Sequence, residues 1–474
     1  MPKRIFELKH IFGLKVKELR QERGLTYQQL NTLSGLSVSY LSEIESGKKY
    51  PKGDKIAVLA DALGVQYDEL VSLQVPRKLQ PVVDMMDSHF FKEFPLEEFG
   101  LSPAKLVEIV SEDPDKINAL INTISQVVRS YELRKQPFYE IALRSYQELR
   151  LNFFEELEQV VEEMHLEFFE LKDLPFQPEL LEDILLKIGV RASYDTLAKY
   201  ESLKDLRSLY DEKKRLLYLN QGLTRAQRNF LLGREIAFQW MRVQDRPAAT
   251  PPQKAQNFDM LLNSHRASYF SAALIMPKDR MVKSVEKLFE KKTWDSKGFL
   301  NLLTEFDATP EMVMQRLTNL LPTFFELRNL FFMRFLKSPQ EESVVLTKEL
   351  HLSHLNDPEA NERNQRYFKT WVTESVFEKL KGGELVIEPH ISEFEDASYF
   401  CWALAFTNVS NPLEQISVML GVRIDEEVTQ SIKFLSDPKI PRNSAQAFMD
   451  KMANLDSNLL ERKIQADIDQ ILLS

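Results

Sequence analysis

The chain has 474 residues, which is too long for one hydrophobic core and predicts two to four domains. Hydrophobic residues make up 43% and charged residues 28%, as expected for a soluble globular protein. The formal net charge is -10, but residues 1–60 carry 11 Lys and Arg against 6 Asp and Glu, so a basic N-terminus precedes an acidic remainder. The single cysteine, Cys401, excludes an intrachain disulfide and a cysteine-rich zinc site.

Other features of the composition concern location and fold class. The first ten residues lack the apolar segment of a signal peptide, and no run of 18 or more apolar residues occurs. We therefore expect a cytoplasmic protein with no membrane partner. The 14 glycines and 31 phenylalanines favour a mainly α fold with α+β parts. Neither a GxGxxG motif nor a P-loop is present, so we expect no cofactor.

The stretch from Leu25 to Pro51 predicts two short helices joined by a tight turn. Thr26 is a good N-cap and Gln29 stands three residues later, which is the pattern of a capping box. Gly35 is placed to end the first helix, and Ser37 is placed to cap the second. Residues that cap and end two short helices at this spacing are typical of a helix-turn-helix.

Residues 1–74 are expected to form a compact domain of five short helices around this motif. Helix-turn-helix domains place the N-terminal part of the second helix in the major groove of DNA. The residues predicted to contact DNA are Thr26, Tyr27, Gln28, Ser37, Val38, Ser39, Tyr40, Ser42, Lys48 and Lys49. Val38 can make only apolar contact, Ser39 and Ser42 can hydrogen-bond to bases or phosphates, and the two lysines are placed for phosphates.

The same stretch resembles the Cro/C1-type (XRE) helix-turn-helix family. The matching residues are Leu25, Thr26, Leu30, the turn Ser34–Ser37 and the segment from Ser42 to Pro51. The resemblance implies double-stranded DNA as partner. Tyr27 stands where the family usually has a Gln that donates to a phosphate, and its hydroxyl could reach the same phosphate. The alternative is a helical bundle that does not bind DNA.

Residues 75–170 are expected to form a helical linker or dimerisation region. A long amphipathic helix is predicted from about Pro137 through Val161. It could dimerise the protein or transmit a signal, or it could be an ordinary core helix; the sequence leaves both interpretations open.

Two further domains are expected, over residues 171–335 and 336–474. In the first, helices are predicted at Leu180–Ile188, Arg225–Arg242, 257–275 and 310–321, with a hairpin of Arg207–Tyr210 and Arg215–Asn220. One or two strands are predicted within 327–349, across the boundary between the two domains. In the second domain, three more strands are predicted at 385–392, 399–406 and 416–424, with helices at 364–380 and 444–474. This second domain is therefore expected to be α+β.

The helix predicted to begin at Arg225, with Thr224 as its N-cap, contains a degenerate form of a metal-binding motif. The HExxH motif of zinc peptidases needs two histidines four residues apart and a glutamate after the first. Here Glu235 keeps its place, but Arg234 and Phe238 stand where the histidines would be, and neither can bind zinc. With the order of surrounding elements, the segment resembles the ImmA/IrrE-type metallopeptidase domain, whose third ligand position falls on Arg266 or, one residue earlier, His265.

That resemblance implies the peptidase fold without the activity, so we expect no catalytic residues and no bound metal. Arg234 and Arg266 could fill the metal position with positive charge and pair with Glu235. A structural ion pair and an anion-binding role remain the two alternatives.

The domain order also resembles the short-chain fatty acyl-CoA regulators of bacteria. The matching pieces are Leu327–Leu336, Asn356–Glu359 with Glu362, Ile416–Ile424 and Phe434–Pro441. The resemblance implies a small-molecule effector, an acyl-CoA or related metabolite. Phenylalanines at 324, 325, 331, 332 and 335 could line an acyl pocket or pack in a core, and His351 with His354 could be a surface pair or part of a metal site.

Together these patterns predict a bacterial transcription regulator that is not an enzyme. We expect it to act as a homodimer on a palindromic operator, because one helix-turn-helix contacts only a half-site. Two alternatives stay open: a pseudo-peptidase scaffold that holds a partner protein, and an active zinc peptidase.

Overall fold

The computed structural model describes residues 8–72, 98–101, 105, 135–169, 174–203, 206–250, 257–338, 344–352, 373, 375–380, 384–393, 397–408 and 411–444. It confirms a mainly helical chain with a helical N-terminal domain and sheets in its C-terminal part. The chain divides into two compact units, residues 1–142 with 256–259 and residues 143–255 with 260–474. Among the described residues, no helix is both long enough and apolar enough to cross a membrane.

Five helices form the N-terminal domain, as the sequence predicts. They are α1 (Leu8–Glu22), α2 (Tyr27–Ser34), α3 (Val38–Glu45), α4 (Gly53–Ala62) and α5 (Tyr67–Val71). Their shared core contains Phe12, Leu30, Leu41, Ile44 and Leu59. Because Leu41 and Ile44 lie three residues apart, they occupy one face of α3 and turn its opposite face to solvent.

Two helices stand where the sequence predicted one long helix through Val161. They are α6 (Lys135–Leu149) and α7 (Glu155–Phe168), separated by Leu151 and Asn152 in the left-handed backbone conformation, with φ of 51° and 53°. The side-chain amide of Asn152 donates to the Thr318 hydroxyl at 2.8 Å, and the backbone carbonyl of Asn152 accepts from the side-chain amide of Asn319 at 3.0 Å. The single-helix prediction is wrong because these distant hydrogen bonds override local helix propensity.

A four-stranded sheet follows, with strand order β1-β3-β2-β4. Its strands are β1 (Arg191–Ser193), β2 (Ser208–Asp211), β3 (Leu216–Leu219) and β4 (Ala249–Thr250). The predicted hairpin is confirmed: β2 and β3 are antiparallel, with Ser208 opposite Leu219. Strands β1 and β4 were not predicted.

Six helices pack around this sheet and the following one. They are α8 (Pro178–Lys187), α9 (Arg225–Trp240), α10 (Phe258–Ile275), α11 (Lys278–Phe289), α12 (Ser296–Phe306) and α13 (Pro310–Phe324). The sequence predicted four of them within a few residues but not α11 and α12. The predicted N-cap of α9 is confirmed, because the Thr224 hydroxyl accepts from the Gln227 amide in a complete capping box.

The second sheet has six strands in the order β10-β7-β8-β9-β5-β6. Its strands are β5 (Leu330–Lys337), β6 (Val345–Leu352), β7 (Val386–Glu393), β8 (Ser398–Thr407), β9 (Gln415–Ile424) and β10 (Arg442–Ser444), and a short helix α14 (Glu426–Ser431) follows β9. Strands β5 to β9 pair antiparallel, and β10 runs parallel to β7. Of the predicted helices, most of 364–380 and residues 445–474 lie outside the described residues.

Both faces of this sheet are covered by apolar residues. One face, including Trp402 and Leu420, belongs to the large core formed with α11, α12 and α13, whereas the other, including Phe331 and Met419, packs on residues 376–380. Side chains along a strand alternate between the two faces, so burial on both sides explains why these strands read as nearly continuous apolar runs.

Candidate nucleic-acid interface

The turn between α2 and α3 is fixed by the capping residues that the sequence singles out. The Thr26 hydroxyl accepts from the Gln29 amide at 3.2 Å, and the Gln29 side chain accepts from the Thr26 amide at 2.8 Å. Gly35 ends α2 in the left-handed conformation, with φ of 66°, and the Ser37 hydroxyl caps α3 by accepting from the Tyr40 amide. The local signals therefore determine where α3 begins.

A buried ion pair then locks α3 to α1. The Arg20 guanidinium donates two hydrogen bonds to Glu45, at 2.7 and 2.9 Å, and a third to the Leu25 carbonyl at 2.8 Å. The Glu45 side chain is 1% exposed. Such a two-point contact between guanidinium and carboxylate fixes orientation as well as distance.

Tyr27 contacts both residues of this ion pair. Its hydroxyl donates to Glu45 at 2.8 Å, and the Arg20 guanidinium lies over its ring at 4.2 Å. Burial and the Glu45 charge raise the pKa of Tyr27 to about 12, so the hydroxyl remains a donor. The prediction that this hydroxyl could donate to a phosphate needs correction, because in the structure the hydroxyl donates its hydrogen bond to Glu45.

Sequence analysis did not identify Arg20 and Glu45, although a signal was present. Glu45 follows the buried residues Leu41 and Ile44 on the inward face of α3. An acidic residue is rarely buried without a cationic partner. Its position therefore indicated an internal ion pair, although not which of the nearby basic residues supplies it.

The structure leaves most of the predicted DNA contacts at the surface. Val38 is 37% exposed, Ser39 and Ser42 are exposed, and Tyr40 is half-buried. We call the exposed residues Gln28, Ser37, Val38, Ser39 and Ser42 the recognition surface. It includes the exposed residues at the start of α3, the end that enters the major groove in helix-turn-helix proteins.

The basic loop after α3 begins at a glycine turn. Gly47 has a φ of 68°, and the Lys48 and Lys49 amides donate back to the Glu43 carbonyl. The Lys49 ammonium pairs with the Glu43 carboxylate at 3.3 Å and lies 5.1 Å from the centre of the Tyr40 ring. Both lysines are exposed, so their charge is available at the end of α3.

The degenerate metal site lies in the second unit, on α9. The Arg234 guanidinium donates to the Thr250 hydroxyl at 2.8 Å and to the Ser264 hydroxyl at 3.0 Å. Glu235 accepts two hydrogen bonds from Arg246, at 2.8 and 2.5 Å. The predicted pairing of Glu235 with Arg234 or Arg266 is therefore wrong.

The physical reason lies in helix geometry. Neighbouring residues on a helix point about 100° apart, so Arg234 and Glu235 do not face each other. The Arg266 guanidinium instead donates to the Tyr146 hydroxyl at 3.2 Å. The true partner, Arg246, comes from the loop after α9, which the sequence pattern did not indicate.

The residues at this site do not fit a zinc ion. Arg234 is a cation, and Phe238 has no ligand atom. His265 is half-buried beside Phe154, with ring centroids 5.5 Å apart, and desolvation of its ring lowers its pKa to about 3. Across the described ranges, no three or more His, Cys, Asp or Glu residues are grouped as metal ligands.

Of the remaining sequence candidates, Phe324 is 43% exposed and His351 is half-buried, whereas the others that the structure describes lie in cores. Phe331, Phe332 and Phe335 are buried in the cores of the six-stranded sheet, and Cys401 is buried there too. His351 contacts Glu349 at 2.5 Å, whereas His354 lies outside the described residues.

Two family profiles match the chain. A profile described as helix-turn-helix covers residues 16–70, and one described as IrrE N-terminal-like domain covers residues 190–318. The first spans α2 to α4, and the second spans the four-stranded sheet and most of α13. The resemblances to the Cro/C1-type helix-turn-helix family and to the ImmA/IrrE-type domain are confirmed.

Among curated proteins, the chain is 38% identical over 66 residues to the HTH-type transcriptional regulator y4dJ of Sinorhizobium fredii, covering 14% of this chain and 86% of that protein. It is 46% identical over 61 residues to the HTH-type transcriptional repressor RghR of Bacillus subtilis, covering 13% of this chain and 45% of RghR, so it spans less than half of that relative.

A solved structure, a Mycobacterium tuberculosis transcriptional regulator, is also similar, with 18% identity and a TM-score of 0.47 over 65% of this chain and 89% of that one. The y4dJ match covers most of that relative, and the helix-turn-helix profile matches residues 16–70, which include the complete α2–α3 motif described above. The chain therefore belongs to the helix-turn-helix transcriptional regulators and carries an IrrE N-terminal-like domain.

Proposed function

We propose that the protein is a sequence-specific regulator whose α3 binds the major groove of an operator half-site. The observation that carries this proposal is the recognition surface, whose exposed residues include the first turn of α3, a helix held by the buried Arg20–Glu45 pair. A helix fixed in this way presents its side chains to bases with little loss of conformational freedom on binding.

Different residues take different parts in this proposal. Val38, Ser39 and Ser42 contact base edges, by apolar contact or hydrogen bonds. Lys48 and Lys49 contact phosphates, together with Thr26 and Gln28 at the exposed start of α2. Tyr27 acts indirectly, because its hydroxyl holds Glu45 and thereby the orientation of α3.

The proposed unit of binding is a homodimer on an inverted repeat. One α3 contacts only a few base pairs, and helix-turn-helix dimers place two such helices about 34 Å apart on one side of the duplex. The mass of the complex measured by light scattering, together with the symmetry of the bound DNA, tests this part of the proposal.

Selection of bound sequences from a random DNA library by the full-length protein tests the central proposal. We expect an inverted repeat with half-sites one helical turn apart. Ser42→Ala should weaken binding and relax the preference at specific base positions, by about 1–3 kcal/mol at each contacted base. A wild-type protein that enriches no common sequence would overturn the proposal.

Lys48→Ala distinguishes positioning contacts from specific ones. Removing one phosphate contact should weaken binding to all sequences. It should also reduce the salt slope, which is the slope of log affinity against log salt concentration, by about 1. Lys213→Ala, an exposed lysine in the turn between β2 and β3, is the charge-matched control and should leave the slope unchanged. Equal salt slopes for the wild type, Lys48→Ala and Lys213→Ala would show that Lys48 does not contact a phosphate.

We further propose that the second unit regulates DNA binding through an effector and has no peptidase activity. Arg234 and Phe238 at the ligand positions support the absence of zinc chemistry, and the resemblance to acyl-CoA regulators supports an acyl-CoA or related metabolite. Bound zinc near one ion per chain would contradict the first part. Operator affinity that no acyl-CoA changes would contradict the second.

A further inference from the structure

A pocket beside α9 contains two arginines and one carboxylate. It is bounded by β2, β3, α9 and residues 246–250. The charged residues lining it are Arg234, Glu235 and Arg246. Their charges leave the described lining with a surplus of one positive charge.

Arg246 and Glu235 satisfy each other. Arg246 uses both terminal nitrogens on the Glu235 carboxylate, which also accepts from the Gln239 amide at 2.7 Å. The Arg246 guanidinium lies 3.9 Å from the centre of the Phe238 ring and 4.4 Å from that of Tyr210. The one carboxylate of the pocket is therefore already occupied by Arg246.

Arg234 is left with neutral partners. Its terminal nitrogens donate to the hydroxyls of Thr250 and Ser264, and its Nε, like that of Arg246, has no hydrogen-bond partner among the described residues. Arg234 is only 5% exposed. Burial and the nearby Arg246 lower its pKa to about 10, so it still carries its charge at neutral pH.

A buried cation without an anionic partner costs free energy, which a bound anion would recover. The free Nε–H groups of both arginines are donors, and planar guanidinium groups match the oxygens of carboxylates and phosphates. We propose that this pocket binds one small oxyanion, a carboxylate or a phosphate, between Arg234 and Arg246. The site lies in the second unit and shares no residue with the proposed DNA interface.

Calorimetric titration of the full-length protein tests this site, with inorganic phosphate and acetate as separate arms at constant ionic strength. We expect saturable binding of one anion per chain, and the arm that binds identifies the source of the oxyanion. Arg234→Met should weaken this binding at least tenfold. Arg225→Met is the matched control, because Arg225 lies on the same helix as Arg234 but its exposed guanidinium pairs with Asp307 outside the pocket. This variant should bind the anion as the wild type does.

A second variant tests the same site even if Arg234→Met does not fold. Ser264→Asp places a carboxylate within reach of the same guanidinium, since the Ser264 hydroxyl lies 3.0 Å from Arg234. We expect it to abolish anion binding while raising the Tm, because the added carboxylate replaces the anion. No saturable binding of either anion to the wild type, or unchanged binding by both variants, would overturn the proposal.

Discussion

The Arg316 guanidinium donates two hydrogen bonds to the Glu158 carboxylate, at 2.6 and 3.0 Å, in the interior of the second unit. The two side chains are 0% and 2% exposed. The Tyr269 hydroxyl donates to the same carboxylate at 2.6 Å, and Arg316 Nε donates to the Met276 carbonyl. The network joins α7, α10 and α13, so α7 is part of the core of this unit.

Loss of one partner in this pair should destabilise the second unit strongly. We expect Arg316→Met to lower the free energy of unfolding by about 3–5 kcal/mol, because it leaves a buried, unpaired carboxylate. All four tryptophans lie after residue 142, so tryptophan fluorescence in urea reports on this unit. The double variant with Glu158→Leu should recover most of the loss, and a single-variant loss below about 1 kcal/mol would contradict the prediction.

The same pair should make stability depend on acid pH. Burial alone would raise the pKa of Glu158, but the charge and hydrogen bonds of Arg316, with that of Tyr269, hold it below its usual value of 4.5. The contribution of the pair is therefore complete above the unfolded-state pKa and is lost as the pH falls below it. Glu158→Gln should unfold at lower urea than wild type at pH 7 and lose less stability on acidification; parallel pH profiles would contradict this.

Tyr27→Phe separates a structural role of the hydroxyl from a phosphate contact. The variant loses one hydrogen bond to the buried Glu45 carboxylate, which should lower the protection of α3 amides against hydrogen exchange by about 1.5–3 kcal/mol. The salt slope of DNA binding should not change, because no phosphate contact is lost. A slope reduced by about 1 would instead assign Tyr27 to the phosphate backbone.

Gly421→Ala should destabilise the six-stranded sheet. A Cβ at Gly421 in β9 would lie 2.0 Å from the Phe331 ring in β5, far closer than atoms can approach. We expect a loss of about 1–3 kcal/mol in urea unfolding, as for other overpacked cores. In Phe331→Leu, the added methyl should cost less than in the wild type, and equal costs in both backgrounds would exclude the clash as the cause.

Local signals made much of the fold predictable. Thr26, Ser37 and Thr224 cap their helices as expected, because an N-cap depends on residues only three positions away. The alternating pattern likewise predicts β2 and β3. The same locality explains why the sequence alone predicts the start of α3 correctly.

The features that the sequence did not predict depend on residues that are distant in the sequence. The break at Asn152 depends on Thr318 and Asn319, which lie far away in the sequence. Glu235 pairs with Arg246 from a separate loop. No periodicity in the sequence indicates such partners, so the sequence revealed that the metal motif was degenerate but not how its charges are arranged.

The pairing of β5 with β9 has a kinetic consequence. These strands are neighbours in the sheet, although three other strands and a long stretch of chain separate them in sequence. Contacts between distant residues slow folding, whereas a domain of short helices with local contacts folds quickly, and N-terminal domains emerge first from the ribosome. The N-terminal helices can therefore be folded on the nascent chain while β5 still awaits the synthesis of β9.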